Sequence, residues 1–297
     1  MVERLPAISV CIPTYNGAKY IAQTIESILN QTFTDFEIIV SDDGSSDKTL
    51  EIVGSFNDPR IVRIERLSKV GAEANWNNAV ATASASLVKL VCQDDLLYPQ
   101  CLEVEVQTMS KSENQDVSFC FHLRDFVTPN SRKLSARRVG YSNLQKYSKT
   151  EILTKVVRSG GNPIGEPMAV TMRKLSLNSA GKFRGDYVID LDMWSKLSDQ
   201  GNALFIEQHL SAFRISKTSW TSNLKKSQLS SVRALSKKLQ IDSDGAITKF
   251  DLLRGQIVGL VRAPVRQVAS SLILLVDRLL GPAREPRPKN YNQHPDN

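Results

Sequence analysis

Short apolar runs alternate with helix-like patterns through the N-terminal third of the chain. Between the runs, apolar residues recur at steps of three and four, which predicts amphipathic helices over 21–29, 49–56 and 71–85. This alternation predicts an α/β fold with an open, mostly parallel, Rossmann-like sheet flanked by helices. The apolar runs that predict its buried strands are 7–12, 36–40, 61–64 and 87–92.

Two acidic clusters follow predicted strands. Asp42 and Asp43 come after the second strand, and Asp94 and Asp95 come after the fourth. Open α/β sheets bind ligands beyond these strand ends, and neighbouring carboxylates there repel unless water, a ligand or a cation offsets their charge. Oxygen ligands suit Mg²⁺ or Mn²⁺, which typically bridges to a diphosphate. The alternative is that loop acids form turns and cap helices, as Asp47 would do.

The loop after the first strand is Pro13-Thr14-Tyr15-Asn16-Gly17. It contains neither a GxGxxG pattern nor a Walker-type Gly-Lys-Ser/Thr motif, which argues against dinucleotide oxidoreductases and NTPases. The loop offers an aromatic ring for stacking on a base and short polar groups for a nucleotide. The alternative is that Tyr15 is an ordinary half-buried loop aromatic.

These segments resemble the motifs of family-2 glycosyltransferases. Ile8–Gly17 is similar to the opening of that family, Ser27–Phe33 to the end of its first helix, and Phe36–Ser45 to its second strand and loop. The order of the motifs along the chain makes the resemblance specific. Three further residues stand at the family's Gly…Asn-x-Asn spacing: Gly71, Asn75 and Asn77.

The resemblance implies a GT-A fold and a nucleotide-diphosphate sugar donor, which we expect to be a UDP-sugar. It implies that Asp43 hydrogen-bonds the base, that Asp94 contacts the ribose or the sugar, and that Asp95 holds Mn²⁺ or Mg²⁺ on the diphosphate. Gln93 stands at the first position of the family's frequent Asp-x-Asp motif, so one metal carboxylate is missing. The residues expected to bind the donor are Pro13, Thr14, Tyr15, Asn16, Asp43, Asn75, Asp94 and Arg214.

A later acidic segment, Asp190–Leu197, resembles the family segment that carries the catalytic base. Asp190 matches that base, which would take a proton from the acceptor hydroxyl as it attacks the anomeric carbon and inverts it. Ile189 replaces the customary preceding glutamate. Asp192 has an alternative role as a helix N-cap. Glu166 either faces the acceptor or is an ordinary loop acid.

Arg214 and Ser216 stand where many relatives have a Tyr-Arg-x-His segment. Arg214 would neutralise phosphate or form a structural ion pair, and Ser216 cannot replace the histidine as a metal ligand. The cysteines form no CxxC pair, and the sequence indicates no histidine partner for them, which predicts buried, reduced thiols. They are Cys11, Cys92, Cys101 and Cys120.

Charge is distributed unevenly along the 297 residues. Over 1–223 there are 25 Lys+Arg and 25 Asp+Glu, and over 224–297 there are 13 and 6, so the net charge of +7 belongs to the tail. We predict a donor-binding half over 1–97, an acceptor-binding half of the same domain over 98–223, and a basic helical tail over 224–297 that is disordered from Pro282.

Apolar residues recur at steps of three and four between residues 253 and 279, which predicts an amphipathic helix kinked at Pro264. Arg254, Arg262 and Arg266 share another face. This combination suits an anionic membrane surface, as a lipid-linked acceptor would require. The alternative is a helix packed on the catalytic domain or on a second subunit.

The longest charge-free run late in the chain, Gln267–Val276, has ten residues, too few to span a bilayer. The N-terminus has no signal-peptide pattern. We therefore expect a cytoplasmic protein, peripheral at the inner face of the cell membrane, that adds sugar to a glycan or lipid-linked acceptor in surface polysaccharide biosynthesis.

Three alternatives stand beside the glycosyltransferase interpretation. A nucleotidyltransferase also uses strand-end carboxylates and a metal, but it would offer a Gly-rich basic phosphate loop, which 13–17 lacks. A non-catalytic nucleotide-sugar scaffold agrees with Gln93, Ile189 and Ser216. Nucleic acid is not an expected partner, because the basic residues of the tail are not interleaved with aromatics.

Overall fold

Strands and helices alternate in the N-terminal part of the structure, as the sequence predicts. The computed structural model describes residues 4–65, 68–134, 141–185, 188–215, 228–243 and 245–281. The strands of this part are β1 (Ile8–Thr14), β2 (Phe36–Asp42), β3 (Ile61–Glu65), β4 (Leu87–Leu90) and β5 (Leu96–Leu97). Its helices are α1 (Ile21–Leu29), α2 (Thr49–Ser55), α3 (Ala72–Thr82) and α4 (Cys101–Ser110).

Longer strands and further helices follow α4. The strands are β6 (Val117–Val127), β7 (Lys133–Leu134), β8 (Lys146–Tyr147), β9 (Val170–Arg173) and β10 (Asn202–Arg214). The helices are α5 (Lys149–Ser159), α6 (Lys174–Ala180), α7 (Ile189–Leu197), α8 (Gln228–Ile241) and α9 (Lys249–Leu280). Short 3₁₀ turns lie at Ser112–Asn114 and Pro167–Ala169.

The strands form one sheet in the order β3-β2-β1-β4-β9-β6-β10-β5, with β7 paired to β6 and β8 to β10. From β3 to β4 every pairing is parallel. Beyond β4 the sheet is mixed, because β9 runs antiparallel to both β4 and β6, whereas β6 and β10 are parallel. The α/β class is confirmed, and its parallel part brings the carboxyl ends of β1, β2 and β4 to one edge.

β1 is central in the parallel part and is buried on both faces. Val10 and Ile12 pack into one core with α1 and α4, whereas Cys11 packs into the opposite core with α3 and α7. The strand does not end at Pro13, as the sequence suggested, but continues to Thr14. Pairing with β4 ends at Cys11, so the missing N–H of Pro13 costs no hydrogen bond in that ladder.

Strands from both sides of the boundary predicted at residue 97 pair with each other. Leu96 of β5 lies opposite Ala212 of β10. The segments 1–97 and 98–223 therefore share one sheet, and the division of donor and acceptor binding between them stays a prediction. The disordered end predicted from Pro282 lies outside the described residues.

The C-terminal helix α9 begins at a capping box formed by Thr248 and Asp251. It continues through Pro264 without ending there. α9 packs closely on the end of α5, where Gly255 and Gly259 face Gly160. No helix among the described residues is both long and apolar enough to cross a membrane.

Candidate active site

Three loops converge at the carboxyl edge of the parallel strands. The β1–β2 register places Thr14 beside Asp42, and Asp43 N donates a hydrogen bond to Thr14 O at 2.9 Å. Asn16 joins the first two loops, since its Oδ1 accepts from Ser46 N at 2.9 Å. Asn16 has a φ of 50°, a left-handed conformation that asparagine tolerates better than most residues.

Gln93 ties the loop after β4 to the loop after β1. Its Oε1 accepts hydrogen bonds from Thr14 Oγ1 at 2.6 Å and Tyr15 N at 2.8 Å, and its Nε2 donates to Tyr15 O at 3.1 Å. Gly17 approaches this amide so closely that a Cβ there would overlap Gln93 Oε1. Gln93 thereby fixes the backbone of Tyr15, whose exposed ring lies 3.9 Å from Lys69 Nζ.

Asp43 and Asn75 are buried and bonded within the protein. The Asp43 carboxylate accepts from Val70 N at 2.7 Å and Gly71 N at 2.9 Å. Asn75 accepts from Ser41 Oγ and donates to backbone oxygens at the ends of β1 and β2. Both Asn75 amide hydrogens are thus occupied, whereas each Asp43 oxygen retains acceptor capacity. Contact of either residue with a donor stays a prediction.

The acidic pair after β4 lies against the end of β10. Asp95 is fully buried, and its Oδ1 accepts from Arg214 N at 3.2 Å. The buried guanidinium of Arg214 donates to Asp94 O at 2.9 Å, to Gln23 Oε1 at 2.9 Å and to Ser131 Oγ at 3.0 Å. Arg214 therefore holds the backbone of the acidic pair, and its predicted contact with phosphate is not tested by this arrangement.

Asp95 Oδ2 is buried and has no hydrogen-bond partner among the described residues. Burial, followed by the charge of Asp94, raises the pKa of the Asp95 carboxyl well above its usual range. Burial also raises the pKa of Asp94 to about 6. A divalent cation bound at Oδ2 would stabilise the ionised carboxylate of Asp95 against the cost of its burial and against repulsion from Asp94. Such cations prefer oxygen ligands. The residues present therefore fit Mn²⁺ or Mg²⁺, held by Asp95.

Asp190 lies half-buried in the first turn of α7. Its Oδ1 accepts from Leu191 N at 2.7 Å, and its Oδ2 accepts from Asn162 Nδ2 at 2.8 Å. Asn162 also bonds both backbone polar groups of Gly165, whose oxygen accepts from Trp194 Nε1. The loop after α5 and the body of α7 together fix the orientation of this carboxylate.

Opposing influences set the proton affinity of Asp190. Burial, followed by the charge of Glu166, raises the pKa of Asp190. Hydrogen bonds from Leu191 and Asn162 lower this pKa, and the net result is a value of about 7. Glu166 is itself ion-paired with Arg124. A carboxylate whose pKa lies near neutrality suits a general base.

The start of α7 corrects one interpretation of the sequence. Asp192 is not the N-cap, because the helix begins at Ile189 with Val188 in the cap position. Asp192 lies within the first turn and forms ion pairs with Lys196 and Lys238. Asp192 therefore pairs with a cation within α7 and with a cation of α8.

Cys92 and Asn162 are site residues that the sequence did not reveal as such. Burial, followed by the charges of Asp95, Asp94 and Asp190, raises the pKa of the Cys92 thiol. The charges of acids from the β4 loop and from α7 thus act on the same thiol, so the predicted metal ligand and the predicted base lie within electrostatic reach of one side chain. No sequence pattern signals this, because the segments are far apart along the chain.

A family model provides an independent comparison. The model of Glycosyl transferase family 2 matches residues 9–174, which run from β1 to β9 and include the loops after β1, β2 and β4. The chain belongs to glycosyltransferase family 2. The resemblance inferred from the sequence motifs is thereby confirmed.

Two curated relatives of this family-2 chain carry the names of enzymes that build saccharides. It is 29% identical over 202 residues to a chondroitin synthase of Pasteurella multocida. The aligned region covers 67% of this chain and 20% of that protein. It is 30% identical over 164 residues to the Escherichia coli UDP-Glc:α-D-GlcNAc-diphosphoundecaprenol β-1,3-glucosyltransferase WfgD, covering 54% of this chain and 64% of WfgD. The chain thus spans about a fifth of the length of the synthase.

Solved structures establish the fold of the family-2 chain. S. aureus TarS 1–349 in complex with UDP-GlcNAc superposes with a TM-score of 0.61 and 18% identity, covering 78% of this chain and 66% of TarS. The mannosyltransferase PcManGT of Pyrobaculum calidifontis, in complex with GDP-Man and Mn²⁺, gives a TM-score of 0.59 and 17% identity, covering 94% and 77%. The chain has the GT-A fold.

A second polar cluster lies in the core, apart from the loops of the family-2 site. Contrary to the expectation that no cysteine has a histidine partner, Cys101 Sγ lies 3.7 Å from His122 Nε2, and both contact Glu105. Lys89 Nζ lies 2.7 Å from Glu105 Oε1 and already supplies a cation there. We therefore interpret this cluster as structural. Ser216, which departs from the family pattern, lies outside the described residues.

Proposed function

We propose that this chain transfers a sugar from a UDP-sugar to an acceptor hydroxyl, with inversion at the anomeric carbon. The observation that supports this best is a pair of unlike carboxylates, Asp95 and Asp190, whose charges both act on the Cys92 thiol. Asp95 has a buried oxygen without a partner, and Asp190 has a pKa near 7. Asp95 would hold a cation that neutralises a diphosphate, and Asp190 would accept a proton, which are the two requirements of a single displacement.

The donor would lie across the ends of β1, β2 and β4. In this proposal Tyr15 stacks on the base, Asp43 uses its free acceptor capacity to bind the base, and Asp94 bonds the ribose or the sugar. The complex of TarS with UDP-GlcNAc supports a uridine donor on this fold. Pro13, Thr14, Asn16, Asn75 and Arg214 would act by shaping this pocket, because their described contacts are with its loops.

Asp190 would orient the acceptor hydroxyl and take its proton as the oxygen attacks the anomeric carbon. The hydrogen bond from Asn162 keeps one carboxylate oxygen fixed while the other faces Leu191 N. Asp95 would hold Mn²⁺ or Mg²⁺, and when bound such a cation stabilises the negative charge of the departing nucleotide diphosphate. The complex of PcManGT with Mn²⁺ supports this assignment.

For the acceptor, we propose a glycan or a lipid-linked saccharide used in surface polysaccharide synthesis. WfgD is named for a diphosphoundecaprenol-linked acceptor, and the chondroitin synthase for a polysaccharide product. A lipid-linked acceptor would place the reaction at the cytoplasmic face of the cell membrane. Nucleic acid has no part in this proposal.

The proposal is tested by titrating UDP into the purified chain in a calorimeter, with and without Mn²⁺. We expect binding that requires the metal and that is lost in Asp95→Ala. Donor turnover, measured as UDP release from a panel of UDP-sugars, should fall by a factor of about 10² to 10⁴ in Asp190→Asn, while UDP binding is kept.

The matched control is Asp192→Asn, which changes a carboxylate in the same turn of α7 that pairs with lysines. It should leave turnover close to that of the wild type. Absence of UDP, GDP and dTDP binding, with or without metal, would contradict the donor site. Equal losses of turnover in Asp190→Asn and Asp192→Asn would contradict the assignment of the base.

A further inference from the structure

The C-terminal helix α9 presents an apolar face that no described residue covers. The helix has 32 residues, so it is about 48 Å long. One side packs on α5, α8 and the loop after β6, whereas the other carries exposed aliphatic side chains at helical spacing. This outer face of α9 consists of Leu253, Ile257, Leu260, Val261, Val265, Val268, Leu272, Leu275, Val276, Leu279 and Leu280.

The charges of α9 are sorted between its two sides. Its acids, Asp251 and Asp277, are both buried against the protein. Asp251 pairs with Arg158 of α5, and Asp277 accepts a hydrogen bond from Asn130 N at 3.2 Å and lies 3.4 Å from Arg132 Nε. The helix therefore turns its negative charges inward.

The exposed charges of α9, within the part of the chain that the structure describes, are all positive. They belong to Lys249, Arg254, Arg262 and Arg278. They are exposed on the same helix as the aliphatic side chains, and the sequence around them carries the whole +7 excess of the chain. A helix that exposes aliphatic side chains together with cations is complementary to the surface of an anionic bilayer, where acyl chains lie beneath negative headgroups.

A second copy of the chain fits this surface less well. Two outer faces packed against each other would bring the exposed arginines of the two helices together, and like charges at an interface are repulsive. A spanning helix is not available among the described residues. The length of α9 and its exposed aliphatic face suit a helix that lies in the plane of the interface.

We propose that the outer face of α9 binds the surface of an anionic lipid membrane. The inference deepens the proposed function, on which its biological purpose rests, because a lipid-linked acceptor would lie at that surface. α9 is bonded at one end to α5, which leads into the Asn162 loop, and at the other to the loop of Asn130 and Arg132. Both loops contact residues of the candidate site.

The experiment is flotation of the full chain with vesicles of phosphatidylcholine alone or mixed with phosphatidylglycerol. We expect binding to the mixed vesicles, weakened by salt, and at least tenfold weaker binding in Val268→Glu/Leu272→Glu. Arg254→Glu should weaken binding by about fivefold or more, since each surface cation contributes about 1 kcal/mol. Leu175→Glu is the matched control, because Leu175 is an exposed aliphatic residue on α6.

A fluorescent readout separates insertion from simple attraction. Val268→Trp should show a blue-shifted indole emission with the mixed vesicles and none with phosphatidylcholine alone. Equal binding of the wild type and Val268→Glu/Leu272→Glu would overturn the proposal. The proposal would also be overturned if the wild type were a dimer that does not bind vesicles and the double variant were a monomer. UDP titration in the same samples distinguishes failure of membrane binding from failure of the proposed donor site.

Discussion

Asp190 is held between a neighbouring negative charge and a hydrogen-bond donor, and these two influences can be varied separately. Because the base must be ionised, we expect turnover to be low below its pKa of about 7 and to rise as the pH passes that value. Glu166→Gln removes a charge that raises this pKa, so the profile should move to lower pH. Asn162→Ala removes a bond that lowers it, so the profile should move to higher pH.

The measurement is UDP release from a saturating UDP-sugar between pH 5.5 and 9, a range that is about 1.5 to 2 units either side of this pKa. The two variants provide each other's control, since they alter the same carboxylate in opposite senses. Shifts in the same direction would show that the variants act through a general distortion of the site.

Gln93 carries a second prediction at the residue scale. Its amide makes three bonds to the loop of Thr14 and Tyr15. Gln93→Ala should release that loop and weaken UDP binding by about tenfold, since each bond contributes about 1 kcal/mol and part of the loss is recovered by water. Calorimetry with Mn²⁺ measures this, and unchanged affinity would show that the loop does not need the amide.

The positions of single site residues were predictable where those residues lie at the ends of predicted strands. Asp94 and Asp95 lie at the sheet edge because they follow closely on the apolar strand β4, which ends at Leu90. The role of Gln93 was not predictable, because its partner in the loop after β1 is 78 residues away in the sequence. The donor-binding roles of Asp43, Asn75 and Arg214 stay predictions, since all three already hold the loops of the site.

At the scale of elements, the contact between α9 and α5 depends on glycines, which have no side chain at the point where the helices meet. A Cβ at Gly255 would overlap Val157 O, so the two helices touch through their backbones. We expect Gly255→Ala to separate them and to cost about 1–3 kcal/mol of unfolding free energy. Gly161→Ala is the matched control, because a Cβ there meets no atom within 4 Å.

Hydrogen exchange measures this prediction locally. Amides of α9 and of the end of α5 should exchange faster in Gly255→Ala and at the wild-type rate in Gly161→Ala. Equal rates in both variants would mean that the helices adjust to the extra methyl group. The location of α9 against α5 was not predictable, since amphipathic spacing identifies an apolar face without identifying what packs on it.

Element boundaries were predicted best where most residues of the element are apolar. The apolar run 36–40 predicts the position of β2. The start of α7 was misplaced, because Asp192 is of a residue type that commonly caps helices but lies inside this one. The cap position belongs to Val188, which the sequence does not mark. The mixed part of the sheet was also missed, because β9 has only four residues and its antiparallel pairing depends on distant strands.

The two parts of the sheet are joined in the core by a buried ionic cluster. Lys89 lies on β4, His122 on β6 and Glu105 on α4, all fully buried, and Lys89 Nζ also lies 3.5 Å from Thr171 Oγ1 on β9. Burial opposes ionisation of Glu105, but the charge of Lys89 offsets it and lowers the carboxyl pKa to about 2. The cluster therefore depends on both charges being present.

Removing one partner should make stability depend on pH between 7 and 5, where the contribution of Glu105 is otherwise constant. In the wild type the Glu105 pKa lies below its ordinary value, so its contribution is constant between pH 7 and 5 and is lost only as the pH falls toward 2. In Lys89→Met the carboxylate is buried without its cation, which should cost about 3–5 kcal/mol at pH 7. Its pKa then rises, so this variant should become more stable as the pH falls to 5.

Urea unfolding at both pH values measures the effect, and Lys89→Met/Glu105→Met is the matched control. The double variant has no buried charge from this pair, so it should be more stable than Lys89→Met at pH 7 and lose the pH dependence. A single variant with wild-type stability at pH 7 would mean that water reaches Glu105. The parallel and mixed parts of the sheet would then be joined by apolar packing and strand pairing alone.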